Sequence, residues 1–301
     1  TAPRVLLVFY RSYLIAADTG PIAALARALS EAGYDVQTLF APSLKAPDAA
    51  RWLARQVKHL RPNAIVNATA FSGKGADGSS PLDVGDVPVF QVALATSTEA
   101  AWAEAERGLS PSDLAMHVVL PEVDGRLMGG VVSFKEPGRR DPDLEYSRFT
   151  HRANHDRIQA VAARVKAWLD LASKAVDTRR VALVMSTYPG KDWNMGHAVG
   201  LDAPASARAI LADLREGGYN VKSTPEDIES QLLSRQISGP VSNYEAALET
   251  LPRNLQDDLI AAWGHPSDDP DVTDGAFHFA ALSLGHATLA LQPERGTPEQ
   301  R

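Results

Sequence analysis

Short apolar runs separated by amphipathic stretches fill the first part of the chain. Residues 5–9 (VLLVF) form a continuous apolar run, typical of a strand buried on both faces of a parallel sheet. Ile22, Leu25 and Leu29 then recur at helical spacing, and Gly33 ends the predicted helix. The same alternation predicts further strands at 35–40, 64–66, 87–92 and 117–120, and further helices at 48–60 and 97–107. This pattern favours an open α/β sheet.

A polar segment with Pro and Gly, residues 135–148, follows this region and is predicted to be a linker or an exposed loop. A long amphipathic helix is predicted over 154–175, because its apolar side chains lie on one stripe. The elements predicted beyond it are a strand at 181–185, a helical segment from 225 to 263, and a β-hairpin of 277–283 and 288–291.

One helix-and-turn sequence occurs twice. Residues 21–36 (PIAALARALSEAGYDV) align with residues 206–221 (SARAILADLREGGYNV), an offset of 185. The preceding strands are offset by only 176, so the second copy has nine extra residues between strand and helix, within 188–201. Loops at the carboxyl end of a strand are where α/β sheets bind ligands, so the insertion points to function. A neutral surface insertion is the alternative.

The predicted fold class is therefore α/β, with two flavodoxin- or Rossmann-like strand–helix units that contain parallel sheets. A helical segment and a C-terminal β-hairpin complete it. The predicted organisation is a first α/β domain at 1–135, a linker and connecting helix at 136–176, a second α/β unit at 177–224, and the helical segment and hairpin at 225–301.

Composition removes several classes of function. The 301 residues contain no cysteine, which excludes thiolate zinc, iron–sulfur clusters, disulfides and a cysteine nucleophile. The 30 basic and 37 acidic side chains give a net charge of −7, which disfavours binding to nucleic acid. No apolar run reaches the ~18–20 residues of a membrane span. The P-loop, dinucleotide-binding, G-x-S-x-G and H-E-x-x-H motifs are missing from the sequence.

His117 and Glu122 are the first candidates for chemistry. His117 opens an apolar segment predicted to be a strand, and Glu122 lies in the turn sequence PEVDG that follows it. Both side chains are then expected near the crevice of the sheet, where they suit a general base with a metal-handling partner. A hydrogen-bonded core histidine and a solvated turn carboxylate are the alternative.

Two weaker patterns remain open. His151 and His155, four residues apart with Asp156 alongside, could bind Zn²⁺ or Co²⁺ from one helix face, or form a solvated helix N-terminus. Residues 73–80 (GKGADGSS) could form a phosphate nest, although a surface loop is the simpler interpretation.

The inserted loop of the second copy is dense in aromatic and polar side chains. Tyr188, Trp193, Asn194 and His197 combine aromatic faces with amide and cationic donors, which suit a large flat ligand carrying carboxylates. Asp202 follows as the predicted N-cap of the next helix, which by itself explains its presence.

Several ordered blocks give the chain a family resemblance. They are residues 9–29 (FYRSYLIAADTGPIAALARAL), 86–95, 108–125 (GLSPSDLAMHVVLPEVDG), 181–221 and 284–296 (LGHATLALQPERG). Together they resemble the large subunit of ATP-dependent cobaltochelatase, in a family that includes the porphyrin-binding H subunit of magnesium chelatase. LSPSDLAMHVVLPEVDG and VGLDAPAS point to the cobalt branch, although His197 stands where that branch is expected to have Asn.

The resemblance implies insertion of Co²⁺, as substrate, into hydrogenobyrinic acid a,c-diamide during aerobic cobalamin synthesis. It implies Glu122 as the base and His117 as a catalytic residue that also transfers the metal. The substrate-binding residues that it implies are Tyr188, Trp193, Asn194, His197, Asp202 and Arg11.

The resemblance further implies two AAA+-type motor subunits as partners, with ATP and Mg²⁺ bound to them rather than to this chain. It implies a cytoplasmic location and an internal slice of a longer subunit, inactive alone. Two alternatives stay open: a magnesium-chelatase-like subunit, and a non-catalytic docking module for the motor subunits.

Overall fold

The computed structural model describes residues 2–186, 200–223, 225, 227–234 and 236–293, the side chain of Leu233 excepted. The chain forms two compact units, 1–173 and 174–301. None of the helices in these described ranges combines the length and apolarity that crossing a bilayer requires.

The first unit is built on a six-stranded sheet. Its strands are β1 (Arg4–Tyr10), β2 (Asp35–Ala41), β3 (Ala64–Ala68), β4 (Val89–Leu94), β5 (Leu127–Asp141) and β6 (Tyr146–Ala153). The spatial order is β2-β1-β3-β4-β5-β6, with β1 to β5 parallel and β6 antiparallel to β5. Because neighbouring strands run in the same direction, the carboxyl ends of β1, β3 and β4 meet at one edge of the sheet.

Helices cover both faces of this sheet. They are α1 (Arg11–Ile15), α2 (Gly20–Glu31), α3 (Pro47–Leu60), α4 (Glu99–Glu104), α5 (Pro111–Leu114), a π-helical segment (Ala115–Val119), α6 (Leu120–Val123) and α7 (His155–Ser173). In β1, Val5, Leu7 and Phe9 pack against α2 and α7, whereas Leu6 and Val8 pack against α3. Burial on both faces explains the continuous apolar run of β1, and each such side chain contributes ~1.5–3 kcal/mol.

The strand order 2-1-3-4-5 is that of flavodoxin-like sheets, which bind ligands outside the carboxyl ends of β1 and β3, where the strand order reverses. A buried polar network stiffens this edge. The Asn67 side-chain amide donates to Gln91 Oε1 at 2.7 Å, and Gln91 Nε2 donates to the Thr69 carbonyl at 2.6 Å. These bonds hold the end of β3 against β4.

The second unit contains a mixed sheet. Its elements are β7 (Val181–Met185), α8 (Ala203–Glu216), α9 (Ile228–Ser234), β8 (Gln236–Pro240), α10 (Val241–Leu248), α11 (Arg253–Trp263), β9 (Val272–Thr273), β10 (Ala276–Leu284) and β11 (Ala287–Leu291). β7 pairs in parallel with β11, and β10 pairs antiparallel with β11, β8 and β9.

The predicted α/β class and the C-terminal hairpin are confirmed. Three local predictions are wrong. Residues 117–120 are helical rather than a strand, and residues 135–148 belong largely to the β5–β6 hairpin rather than to a loop. The segment predicted to be helical after 225 includes the strand β8. The second sheet is also mainly antiparallel, where a parallel one was predicted.

Candidate functional site

The helical stretch from α5 to α6 places His117. Ser110 caps its start, with its hydroxyl accepting from the Asp113 N–H at 3.1 Å, and Pro111 occupies the first turn. Downstream, the Phe71 N–H, just beyond β3, donates to the Met116 carbonyl at 2.7 Å. Asp113 and His117, one helical turn apart, are both buried. The sequence therefore folds a histidine and a carboxylate inward at the carboxyl edge of the sheet.

Asp113 is fixed by the residues that follow β4. Its carboxylate accepts from the Thr96 N–H at 2.9 Å and from the Thr96 hydroxyl at 3.0 Å. His117 Nε2 lies 3.9 Å from Asp113 Oδ1. This separation is longer than a hydrogen bond, so Asp113 acts on the imidazole through its charge.

Burial lowers the pKa of His117 and outweighs the effect of the Asp113 carboxylate, which raises it. The net lowering means that His117 is neutral at neutral pH. Its Nδ1 is buried and meets no hydrogen-bond partner among the described residues. The imidazole can thus accept a proton or bind a metal ion through that nitrogen.

A second buried imidazole lies at the same edge. His151, on β6, is held by Asp18, which follows α1: Nδ1 lies 2.7 Å from Asp18 Oδ2, and the His151 N–H donates to Asp18 Oδ1 at 2.9 Å. The two side chains are only 6% and 11% exposed. His151 Nε2 is buried and unpartnered in the part of the chain that the structure describes.

Two partly buried tyrosines, Tyr10 at the end of β1 and Tyr13 in α1, complete the cluster at this edge. The Tyr13 ring meets the His151 ring edge-on, with centroids 5.4 Å apart. Burial, reinforced by the charge of Asp18, raises the pKa of Tyr13 to about 12. The Tyr10 hydroxyl donates to the Ala70 carbonyl at 2.6 Å, and burial raises its pKa as well. Both phenols therefore stay protonated at neutral pH.

Exposed apolar side chains surround the carboxyl ends of β1 to β3 and continue on the His117 helix. We call them the apolar rim: Leu14, Ile15, Phe40, Phe71, Val119 and Val123. Phe71 adopts a φ of +68°, a left-handed conformation that is costly for a bulky side chain. An apolar surface beside a buried polar cluster is typical of a site for a large, mainly apolar ligand.

Glu122 lies on an anchored turn within α6, with its side chain exposed. The anchor is Asp124, which is buried and accepts from the Ser72 hydroxyl at 2.7 Å and from the Gly73 N–H at 2.6 Å. Arg126 forms a further ion pair with Asp83. The sequence from Pro121 to Arg126 thus joins the exposed Glu122 carboxylate to two residues whose side chains fix its backbone.

The other predicted site residues are placed as follows. Arg11 is exposed and begins α1, directly after β1. Asp202, in the second unit, is confirmed as the N-cap of α8, because it accepts from the Ala205 N–H at 2.8 Å; its contact with a substrate stays a prediction. Tyr188, Trp193, Asn194 and His197 lie outside the described residues.

The structure disfavours the two weaker patterns. His151 lies on β6, whereas His155 is the exposed first residue of α7, so the two do not share a helix face. In residues 73–80, the N–H groups of Gly73, Lys74 and Ser79 already donate to side chains of this chain. They are therefore not available to a phosphate.

Sequence reasoning missed Asp18, Tyr13 and Asp113. Asp113 follows Ser110 and Pro111, which form a helix-start signal, so its place in a first helical turn was detectable. The Asp18–His151 pair joins residues 133 positions apart. No local pattern reveals such a contact.

Comparison with known proteins decides the family. The fold matches the catalytic subunit of cobaltochelatase from Mycobacterium tuberculosis with a TM-score of 0.78 and 32% identity, covering 98% of this chain and 26% of that one. The sequence pattern of the family described as CobN/Magnesium Chelatase matches residues 1–301. This chain belongs to the CobN/magnesium chelatase family. The resemblance seen in the sequence is confirmed.

Other members of the CobN/magnesium chelatase family align over nearly the whole chain. The aerobic cobaltochelatase subunit CobN of Pseudomonas aeruginosa is 35% identical and that of a Sinorhizobium species 32%, each over 98% of this chain. The chloroplastic magnesium-chelatase subunit ChlH of Oryza sativa subsp. indica is 29% identical over the same share. The chain spans about a quarter of the length of the two CobN relatives, 24% and 25%.

Proposed function

We propose that this chain forms part of the tetrapyrrole-binding subunit of a metal chelatase, and that the macrocycle is metalated at the carboxyl edge of the first sheet. The observation that carries the proposal is the pairing, at that edge, of the apolar rim with the cluster of Tyr13, Asp18, Asp113, His117 and His151. A tetrapyrrole has wide apolar faces and ring N–H groups. This edge offers an apolar surface for the faces and proton acceptors for the N–H groups.

Metal insertion requires a base, because the ring nitrogens must lose their protons before they bind the ion. We assign this role to Glu122. Its carboxylate is exposed on α6, between the rim residues Val119 and Val123, and its turn is held by the buried Asp124. An exposed carboxylate beside an apolar surface can accept a proton directly from a ligand that rests on that surface. Arg11, exposed at the end of β1, suits a carboxylate of the macrocycle.

The proposed substrates are Co²⁺ and hydrogenobyrinic acid a,c-diamide, in cobalamin synthesis. Identity of 32–35% to two aerobic cobaltochelatase subunits, against 29% to a magnesium-chelatase subunit, supports the cobalt branch. ATP and Mg²⁺ are assigned to two AAA+-type partner subunits, which agrees with the missing P-loop motif. A cytoplasmic location, and substrate contacts by Tyr188, Trp193, Asn194, His197 and Asp202, belong to the same proposal.

Replacement of Glu122 tests the catalytic part. The assay compares Glu122→Gln with Glu31→Gln, an exposed carboxylate at the far end of α2, in the intact protein with its motor subunits. We expect Glu122→Gln to slow metal insertion at least ~100-fold while macrocycle binding, followed by tryptophan fluorescence, stays unchanged. Glu31→Gln is expected to match the wild type. If Glu122→Gln inserted the metal at the wild-type rate, Glu122 would not be the base.

Substrate choice is tested by binding. The intact protein is titrated with hydrogenobyrinic acid a,c-diamide and, separately, with a metal-free porphyrin. Tighter saturable quenching by the corrin precursor supports the cobalt branch. Tighter quenching by the porphyrin supports a magnesium-chelatase-like subunit. No quenching by either leaves the docking module for the motor subunits as the better explanation.

A further inference from the structure

A groove of about 440 Å³ opens beyond the carboxyl end of β4, between α4 and the helical stretch that carries His117. We call it the β4 groove. Pockets of this size are typical of sites for small molecules, which range over ~300–1,000 Å³. The side chains that give the β4 groove its chemistry are Ala101, Ala105, Arg107, Leu109, Leu114 and Val119.

Hydrogen bonds hold the walls of the β4 groove in place. On the α4 side, the Ser97 carbonyl accepts from the Lys135 N–H of β5 at 2.9 Å. On the opposite side, Ser110 caps the start of α5. Between them, the Gly108 N–H donates to the Ala105 carbonyl at 3.0 Å, so residues 105–108 form a tight turn. The groove is therefore preformed, which reduces the ordering cost of binding a ligand.

Small side chains leave room in the β4 groove for a flat ligand. Ala101 and Ala105 line it from α4 and its C-terminal end, and Ala115 lines it from the other wall. Leu114 and Val119, which are 38% and 48% exposed, add apolar surface. Because contact with such a surface removes apolar atoms from water, the groove favours a ligand with an apolar, flat part.

Arg107 gives the β4 groove its charge. It is the only charged side chain among the described residues that line the groove, and it is exposed, with no hydrogen bond or ion pair to them. Arg157, by contrast, lies 4.6 Å over the Trp102 ring of α4 and donates from Nε to the Val131 carbonyl. The free guanidinium of Arg107 is therefore suited to a planar carboxylate of a ligand.

A second polar group of the β4 groove also lacks a partner. Ser97 lines the groove, and its hydroxyl oxygen is buried without a hydrogen-bond partner in the part of the chain that the structure describes. Buried polar atoms are nearly always paired. The unpaired hydroxyl, like the free guanidinium, indicates a ligand that carries polar as well as apolar groups.

The β4 groove is continuous with the apolar rim. Val119 belongs to both, and it ends the π-helical turn of residues 115–119, a feature that is frequent at functional sites. Glu122 follows Val119 by three residues, which is ~4.5 Å along a helix axis. A ligand that extends from the groove along the rim therefore reaches the Glu122 carboxylate.

We propose that the β4 groove binds one pyrrole ring of the macrocycle together with its carboxylate side chain, and that Arg107 pairs with that carboxylate. The proposal rests on the proposed function, since it names the part of the tetrapyrrole that enters the groove. The apolar walls contact the ring, and Arg107 selects for a carboxylate at this position. The pairing also fixes how the macrocycle is oriented relative to Glu122.

Filling the groove tests the location of the ring. Ala101→Phe places a bulky side chain in the groove, and Ala103→Phe places the same side chain at an exposed position of α4 that does not line it. Hydrogenobyrinic acid a,c-diamide is titrated into the intact protein that contains this chain, followed by tryptophan fluorescence. We expect binding at least ~tenfold weaker in Ala101→Phe and wild-type binding in Ala103→Phe. Wild-type binding in Ala101→Phe, or equal weakening in both variants, overturns the proposal.

Replacement of Arg107 tests the charge, with two ligands so that each protein is its own reference. The ligands are hydrogenobyrinic acid a,c-diamide and the same compound with its remaining carboxylates converted to amides. We expect the preference for the acid to fall ~tenfold in Arg107→Gln and to persist in Arg55→Gln, an exposed arginine of α3. A misfolded variant loses both ligands alike and does not imitate this result. A wild-type preference in Arg107→Gln overturns the proposed pairing.

The outcome is separable from that of the proposed function. Weaker binding in Ala101→Phe, together with wild-type metal insertion by Glu122→Gln, supports the groove and contradicts the assigned base. Wild-type binding in Ala101→Phe, together with slow insertion by Glu122→Gln, supports the base and contradicts the groove. No binding of the macrocycle by the wild-type protein contradicts both.

Discussion

At the amino edge of the first sheet, Arg4 Nη2 contacts Asp35 at 2.7 Å, and Arg4 Nη1 donates to the Leu60 carbonyl at 2.7 Å. Asp35 also accepts from Gln37 at 2.8 Å. The carboxyl edge differs, since it buries His117 and His151, each with one nitrogen unpaired among the described residues. The same parallel strands begin at the amino edge and end at the carboxyl edge. Ionisable groups at one edge satisfy each other, and those at the other leave donor and acceptor capacity for a ligand.

Solvent exposure separates the two edges as clearly as pairing does. The Arg4 and Asp35 side chains are 37% and 35% exposed, so water screens their interaction and it contributes little to stability. Asp113 is fully buried, and its contacts with Thr96 are charge-assisted hydrogen bonds in a medium of low polarity. The costly burial of a carboxylate therefore occurs at the carboxyl edge, which is the edge where we place the chemistry.

The largest expected effect comes from removing the buried carboxylate. Asp113→Ala leaves the Thr96 N–H without its acceptor and His117 without its neighbouring charge. We expect the free energy of unfolding of the first unit to fall by about 3 kcal/mol, measured by urea denaturation. Asp35→Ala, at the amino edge, is the matched control and should change the denaturation midpoint far less. Equal losses in both variants would contradict the contrast between the edges.

The sequence predicted the scaffold of both edges well. The apolar runs of β1, β3 and β4 and the stripes of α2, α3 and α7 locate the buried core, because burial on two faces demands such patterns. The strand predicted at 117–120 failed because a short apolar run fits either a strand or a buried helix. Ser110 and Pro111 form a helix-start signal, and this signal distinguishes the helix from the strand.

The candidate site was predicted only in part. His117 and Glu122 stood out because His117 opens an apolar segment and Glu122 lies in the turn sequence PEVDG that follows it. Asp18 and His151 come together only when β6 folds beside the end of α1, a contact across 133 residues. β6 itself lacks apolar alternation, since it is an exposed edge strand, so residues 135–148 looked like a loop. Long-range pairing of polar residues leaves no periodicity to detect.

A second prediction separates stability from function at the carboxyl edge. Phe71→Gly removes an exposed rim side chain and relieves its left-handed backbone, which costs a non-glycine residue ~1–2 kcal/mol. We expect melting at or above the wild-type temperature and macrocycle binding weakened ~tenfold, about 1.4 kcal/mol. Phe71→Leu, which keeps an apolar side chain, should bind nearly as the wild type does. Unchanged binding in Phe71→Gly would remove Phe71 from the ligand surface.

A third, smaller effect concerns the repeated helix ends. Gly33, just before β2 at the amino edge, has a φ of +100°, and Gly218 in the second unit has +88°. Each helix ends with the same hydrogen bond, from Tyr34 N–H to the Leu29 carbonyl and from Tyr219 N–H to the Leu214 carbonyl. Gly33→Ala and Gly218→Ala should therefore each cost about 1 kcal/mol, measured by denaturation. Unequal costs would show that the two repeats end their helices differently.

The smallest effect is the pH dependence of the amino edge. The hydrogen bond from Gln37, followed by that from Arg4, holds the pKa of Asp35 below its ordinary value of 3.8. A lowered folded-state pKa contributes stability above the unfolded value, and this contribution is lost as the pH falls below about 4. Asp35→Asn should therefore flatten, slightly, the acid side of the plot of stability against pH, because near pH 7 the variant lacks the small contribution that the wild type loses only in acid. A steeper acid slope in Asp35→Asn would mean that Asp35 is not stabilised in its charged form, and the two edges would then no longer differ in how they satisfy their carboxylates.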